Sequence, residues 1–296
     1  MHKYIIVSPV RNEEAFVERT IQCVLNQTER PLEWIIVNDG SSDMTQAIIE
    51  KFSSVHDWIQ LVNLEDRGYY YPGTGVVNVI KKGMEKISIP DWDFLVKLDC
   101  DITIDRDYFE NIFEEFDKNP KLGIASGAVY YTDGETEVRE KSQSDHPWGA
   151  SKVYRKQCFA DINGWKAIPG WDLADLLSAQ MKGWETRCFD AFKILHFKAS
   201  GSRRSGLTGG KFLLGRFLYR YGYNFFYTLL KGIYRIPEKP FLIGGLSLIG
   251  GYLYAFLRNE RKLFDREMRR FLRKKQQKYF MEGLKRKFSF KPMDNR

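Results

Sequence analysis

The sequence predicts an α/β fold, with a mostly parallel central sheet flanked by helices, followed by a C-terminal helical region of different character. Three observations carry this expectation. In the first third, short apolar runs alternate with stretches of helical periodicity, the pattern of βαβ units. The run Phe94-Leu95-Val96-Lys97-Leu98 ends abruptly in Asp99-Cys100-Asp101, so a buried strand delivers two carboxylates to one sheet edge. From residue 200 onward, 23 Lys and Arg stand against 6 Asp and Glu, a balance of +17 inside an overall charge of +8.

A chain of 296 residues with 43% hydrophobic content holds one large α/β domain and an appendage, expected at 1–205 and 206–296. Cys23, Cys100, Cys158 and Cys188 show no C-x-x-C spacing, which argues against a zinc site or a disulfide framework and fits a reducing cytosol. The apolar start is cut short by Arg11, Asn12, Glu13 and Glu14, unlike a secretory signal, so the active part is expected in the cytoplasm.

Taken in order, residues 3–8 read as the first strand and 13–27 as a helix, with Val17, Ile21 and Leu25 on one stripe and Glu13 and Glu14 at a favoured start. Residues 34–37 form the second strand, and Asn38-Asp39-Gly40-Ser41-Ser42-Asp43 is a turn-and-cap run opening a helix that carries Ala47, Ile48 and Phe52. A strand at 59–64, a Gly- and Tyr-rich loop at 68–75 and a helix at 76–87 lead into the Phe94 strand. A helix at 108–116 and a strand at 122–129 precede a polar loop at 131–147, a candidate lid. Residues 148–155 are strand-like, a helix opens at Trp171 and stops at Gly183, and a strand closes at 193–197. Residues 241–257 carry no charge and four glycines; they are short for a spanning helix and read as re-entrant or interfacial, with a buried helical hairpin of a soluble domain as the alternative. Residues 258–291 are basic, with Phe264, Met268, Phe271 and Leu272 at helical spacing, as in a helix lying on anionic headgroups.

Four motifs then fall in order: Ser8-Pro9-Val10-Arg11-Asn12-Glu13-Glu14, Val37-Asn38-Asp39-Gly40-Ser41-Ser42-Asp43, Leu98-Asp99-Cys100-Asp101 and Gly170-Trp171-Asp172-Leu173-Ala174-Asp175-Leu176. Over about residues 3–200 they resemble the family 2 glycosyltransferases of GT-A fold, the nucleotide-diphospho-sugar transferase fold. The resemblance implies an inverting, metal-dependent transferase of polysaccharide or glycolipid biosynthesis. It would move a sugar from a UDP- or GDP-linked donor to a glycan or lipid-linked acceptor. With the basic, aromatic tail, it would work at the inner face of the cell membrane, with an anionic lipid surface as partner.

By the same resemblance Asp101 is a metal ligand, Asp99 serves the donor ribose or the metal and its bound water, and Mn²⁺ or Mg²⁺ is the expected cofactor. Asp39 matches the contact to the nucleobase, whose imino N–H a carboxylate can accept; Pro9, Arg11 and Glu13 line the same pocket. His196 ends its strand where relatives present a further metal ligand. Arg203 and Arg204 belong to a basic loop suited to closing over the diphosphate. Trp148 and Trp171 are candidate acceptor surfaces.

Two departures matter. Gly75-Val76-Val77-Asn78 has Val77 where relatives carry an arginine, so Lys97, Lys81 and Lys82 are candidates to supply that charge to the nucleotide. The general base is ambiguous, because one residue is inserted between the two anchors of its motif: counting from Gly170 gives Asp172, the preferred choice, and counting back from Gly183-Trp184 gives Asp175.

Two other classes compete. A nucleotidyltransferase acting on sugar phosphates shares the need for metal and phosphate, but Ser8-Pro9-Val10-Arg11 lacks a Gly-rich phosphate loop. A nucleic-acid-binding protein would use the +17 tail, yet its cations are interleaved with long apolar runs that suit lipid better than a duplex, and no nucleic acid is expected.

Overall fold

The computed structural model describes residues 1–66, 68, 73–133, 136–140, 143–197, 206–234 and 242–288, with side chains for all of these except 133, 206–208, 234 and 283–288. The chain divides into two compact units, Met1–Ser200 and Gly201–Arg296.

The first unit is built on one sheet. Strands β1 (Tyr4–Val10), β2 (Glu33–Asp39), β3 (Ile59–Leu64) and β4 (Phe94–Leu98) are linked through helices α1 (Val17–Leu25), α2 (Thr45–Ser53) and α3 (Thr74–Met84). They lie in the order β3-β2-β1-β4, all parallel. Each helical crossover returns the chain to the same sheet end, which is how parallel strands arise. β1, β2 and β4 are buried almost throughout, as expected of strands covered on both faces.

Beyond β4 the sheet changes character. The order continues through β8 (Ser151–Arg155), β6 (Leu122–Asp133), β9 (Glu185–His196) and β5 (Ile102–Ile104), with β7 (Thr136–Arg139) paired to β6. β8 is antiparallel to β4 and β6, and β5 is antiparallel to β9. The expected mostly parallel sheet is therefore mixed. Among the described residues between β7 and β8 (140 and 143–150) there is no helix to carry the chain back to the other sheet end, so β8 runs antiparallel. Part of the expected 131–147 loop is also sheet: β6 runs on to Asp133 and pairs with β7 from Tyr130↔Arg139 to Asp133↔Thr136. Asp133-Gly134 is a hairpin signal that the polar composition obscures.

Strand alternation sorts the core into two layers. Tyr4, Ile6, Trp34, Ile36, Val96 and Leu98 pack with α1, α2 and α4 (Tyr108–Lys118). Ile5, Val7, Ile35, Val37 and Leu95 pack with residues of α3, of α5 (Lys156–Asp161) and of α6 (Trp171–Met181). Val77, standing where an arginine was anticipated, is fully buried in the second layer.

The second unit comprises α7 (Gly206–Tyr221), α8 (Phe225–Tyr234), α9 (Ile243–Leu257) and α10 (Arg266–Phe288). α7 and α9 cross so closely that a Cβ at Gly215 would lie 1.8 Å from the Leu248 carbonyl oxygen and one at Gly251 would lie 1.9 Å from that of Phe212. Those two glycines thus permit helix contact. Among the described residues, no helix is long and apolar enough to cross a membrane. Phe264, Met268 and Leu272, read from sequence as lipid-facing, are buried inside this unit. Periodicity identified an apolar face but not what covers it.

Candidate active site

Three strand ends converge at one edge of the sheet, the arrangement in which open α/β folds place ligands. The β1–α1 and β2–α2 loops are laced together there. The Asn12 backbone N–H donates to Ser41 Oγ (3.0 Å), Ser42 N–H donates to Asn12 Oδ1 (2.9 Å) and Glu13 N–H donates to Thr45 Oγ1 (2.8 Å). Gly40 has φ +65°, and a Cβ there would sit 2.5 Å from Asp66 Cα, so the turn requires glycine. Arg11 donates from Nη1 to the Asp39 carbonyl oxygen (2.6 Å) and from Nη2 to Asp66 Oδ1 (2.7 Å). Glu13 and Asp39 are buried, and Pro9 is half-buried on β1 opposite Val37. The structure thus brings Arg11 and Asp39 into direct contact and places Glu13 and Pro9 on the elements that frame them.

At the end of β4, Cys100 turns into the core and burial pushes its thiol well up, while Asp99 and Asp101 flank it. β9 pairs with β5 so that His196 lies opposite Ile102, and His196 Nε2 comes within 3.4 Å of Asp101 Oδ1. Asp99, Asp101 and His196 each offer a ligand atom, and these atoms lie within 4.8 Å of one another. Two carboxylate oxygens and an imidazole nitrogen form a donor set that fits a divalent cation such as Mn²⁺. Lys97, expected to touch the nucleotide, is only 3% exposed; its ammonium donates to Asp99 Oδ1 (2.5 Å) and to the Gly149 carbonyl oxygen (2.7 Å).

The two candidate bases occupy different surroundings. Asp172, in the first turn of α6 after Gly170 (φ +78°), is partly exposed. Asp175, one turn deeper, is buried; Lys152 Nζ reaches its Oδ1 at 3.2 Å, Tyr154 donates its hydroxyl to Oδ2, and Trp165 Nε1–H in turn donates to Tyr154 (2.9 Å). Burial pushes the Asp175 carboxyl up to about 6, outweighing the pull of Lys152 and Tyr154. Lys152 also donates to the Asp172 carbonyl oxygen at 2.9 Å.

Trp171 is 7% exposed and sits between cations, with Lys97 Nζ 5.7 Å and Lys152 Nζ 5.4 Å from its ring centroid. It is a buried wedge, and so a poorer stacking platform than its sequence position implied. Trp148 is half-buried, its backbone N–H donating to Ser126 Oγ, two residues ahead of the Ala150 carbonyl that accepts from Asp99 N–H (2.8 Å). Arg203 and Arg204 lie outside the described residues. A cavity of about 310 Å³, lined in part by Asp145, Gln180, Trp184 and Arg187, lies at the opposite end of α6 from Asp172; Gln180 donates to Thr186, which donates to the Asp145 carbonyl oxygen.

Sequence reasoning missed Lys152 and Tyr154. A signal was present: Ser151-Lys152-Val153-Tyr154 places a lysine inside an otherwise strand-like run, and a buried lysine is rarely left unpaired.

The fold and this edge define an α/β enzyme with an acidic strand-end site opposite a helix that presents a further carboxylate. The chain belongs to glycosyl transferase family 2, whose family model matches residues 5–170. This membership sets aside the nucleotidyltransferase and nucleic-acid readings as the primary activity. Over 116 residues, 39% of this chain, it is 37% identical to a poly-beta-1,6-N-acetyl-D-glucosamine synthase of Staphylococcus epidermidis. It is 34% identical over the same length to a synthase of the same name from Staphylococcus aureus. The matched segment spans about a quarter (26%) of those relatives.

Among solved structures, S. aureus TarS 1-349 in complex with UDP-GlcNAc superposes with a TM-score of 0.54 at 14% identity, covering 86% of this chain and 73% of that one. A mannosyltransferase from Pyrobaculum calidifontis in complex with GDP-Man and Mn²⁺ gives 0.53 at 13% identity, covering 96% and 80%. These likenesses concern the fold.

Proposed function

We propose that this glycosyltransferase moves a sugar from a UDP- or GDP-linked donor to a glycan or lipid-linked acceptor, with inversion at the anomeric carbon, in polysaccharide biosynthesis. The convergence of Asp99, Asp101 and His196 at one strand end carries the reading. The relatives named as polysaccharide synthases, and the neighbours holding UDP-GlcNAc and GDP-Man, support it.

In this reading Asp99, Asp101 and His196 hold a divalent cation, which when bound supplies Lewis-acid neutralisation of the departing diphosphate. Asp39 and Arg11 frame the nucleobase pocket, their contact fixing the loop that presents it. Asp172 takes the proton of the acceptor hydroxyl, because it is the partly exposed carboxylate of its motif, while Asp175 is occupied by Lys152 and Tyr154. Trp148 stands on the acceptor side, and Arg203 and Arg204 enter on sequence grounds alone as partners of the diphosphate.

The decisive experiment is a hydrolysis screen over UDP- and GDP-sugars, with Mn²⁺ present and after chelation. Cation-dependent nucleotide release from at least one donor is expected. No release across the panel, or a rate indifferent to chelation, overturns the assignment.

In this reading the enzyme works at the inner face of the cell membrane. α8 exposes Phe226, Leu230 and Ile233, one face of a helix, and α9 exposes Ile243, Leu246, Leu253 and Leu257. Such apolar rows, beside a strongly basic α10, suit an anionic bilayer better than water. Flotation with phosphatidylglycerol vesicles should resist a salt wash; complete release by salt would sink the apolar contribution.

A further inference from the structure

Two buried lysines face each other across the middle of the sheet. In the antiparallel pairing of β4 with β8, Lys97 lies directly opposite Lys152. Both are sealed from solvent, at 3% and 0% exposure. Opposed like charges on adjacent strands repel, and burial adds a desolvation cost, so each ammonium must find acceptors. They find them on opposite sides of the site. Lys97 donates to Asp99 Oδ1 and the Gly149 carbonyl oxygen. Lys152 donates to the Asp172 carbonyl oxygen at 2.9 Å and lies 3.2 and 3.4 Å from the Asp175 carboxylate oxygens. Trp171 stands over both, its ring centroid less than 6 Å from either nitrogen.

We infer that Lys97 and Lys152 are a pair of positioning residues that fixes the separation between the strand-end carboxylates and Asp172. Lys97 sets the direction of Asp99. Lys152 pins the first turn of α6 through a backbone carbonyl, and Asp175 acts as its counter-ion. Because the two lysines share one register position and one ring, the metal-side and base-side groups are tied to a single rigid frame. A displacement of about 1 Å between reacting groups costs on the order of 10²-fold in rate, which is the scale of advantage such a frame supplies.

This inference rests on the proposed roles of Asp172 and the Asp99, Asp101 and His196 set, so its test must separate the two. The full-length chain is assayed on whichever UDP- or GDP-sugar the wild type hydrolyses fastest, and Mn²⁺ binding is followed by the electron paramagnetic resonance of free Mn²⁺. Lys152→Met alone strands a buried carboxylate and threatens folding. Lys152→Met/Asp175→Asn removes both charges and is the informative variant, with its melting transition checked first. It is expected to lose about 10²-fold in kcat while donor KM and Mn²⁺ affinity stay at wild-type values. Lys97→Met is expected to weaken Mn²⁺ binding about 10- to 100-fold.

A cooperatively folded Lys152→Met/Asp175→Asn with wild-type kcat, or a Lys97→Met with wild-type Mn²⁺ affinity, overturns the shared frame. An equal loss of kcat and Mn²⁺ affinity in both variants overturns it too, since that is the mark of general loosening. Failure of the parent reading looks different: the wild type binds no Mn²⁺, or Asp172→Asn turns over donor at full rate.

Discussion

In the parallel half of the sheet, β1, β2 and β4 end in exposed or loop-borne polar groups, held by short contacts such as Arg11 with the Asp39 carbonyl and Asp66. Beyond β4, where β8 runs antiparallel, the site's charged groups lie deeper: Lys152 and Asp175 are inside the fold, and Asp172 is partly exposed. The parallel half gathers its carboxylates at the strand ends, with Asp99 partly exposed. The antiparallel half spends one carboxylate to secure another. A site assembled this way depends on the first half for binding and on the second for geometry, and substitutions in the two should differ in kind.

The largest effect is expected at Asp101, the most buried of the three candidate ligands and within reach of His196. Asp101→Ala should abolish donor hydrolysis and Mn²⁺ binding together while leaving the melting transition intact. Retained activity in that variant would remove the distinction between the halves by showing that the strand-end carboxylates do not bind the cation.

Next comes the pair in α6. Asp172→Asn should lower kcat by about 10²- to 10⁴-fold with donor KM nearly unchanged. Asp175→Asn should cost mainly stability, because it leaves Lys152 buried without its counter-ion. Assayed side by side with thermal melts, the reverse pattern would make Asp175 the base and reduce Asp172 to a residue of the helix start.

The same division governs what was legible in the sequence. The parallel half is written in consecutive βαβ units, so Asp39, Asp99 and Asp101 could be placed at one edge from spacing and family pattern. The antiparallel half depends on pairings between distant segments. β5 is three residues long, β7 is hidden in a polar stretch, and the Lys97–Lys152 pairing appears only once β8 is known to run against β4. The inserted residue between Gly170 and Gly183 left two candidate bases, and one helical turn of depth is what distinguishes their surroundings. The second unit teaches the same limit: the stripe of Phe264, Met268 and Leu272 is visible in the sequence, but the structure buries Phe264 together with this face of α10, leaving α8 and α9 to present the apolar surface.

The smallest effect is also the sharpest probe of the antiparallel half. Burial holds the Asp175 carboxyl at about 6, above its ordinary 3.8, against the pull of Lys152 and Tyr154. Between those values the folded chain binds more protons at this group than the unfolded chain does. The stability it contributes is therefore fully present below about pH 4 and is lost as pH rises through about 6. Titrations of groups away from Asp175 recur in Asp175→Asn and cancel in the difference between the two melting temperatures. Wild type minus variant should fall from pH 4 to 6.5 and level off above. A flat difference over that window would mean that Asp175 is already ionised at pH 4, held by Lys152 as a full ion pair. The buried pair would then resemble the Lys97–Asp99 contact of the parallel half, and the contrast between a surface carboxylate and an interior one would disappear.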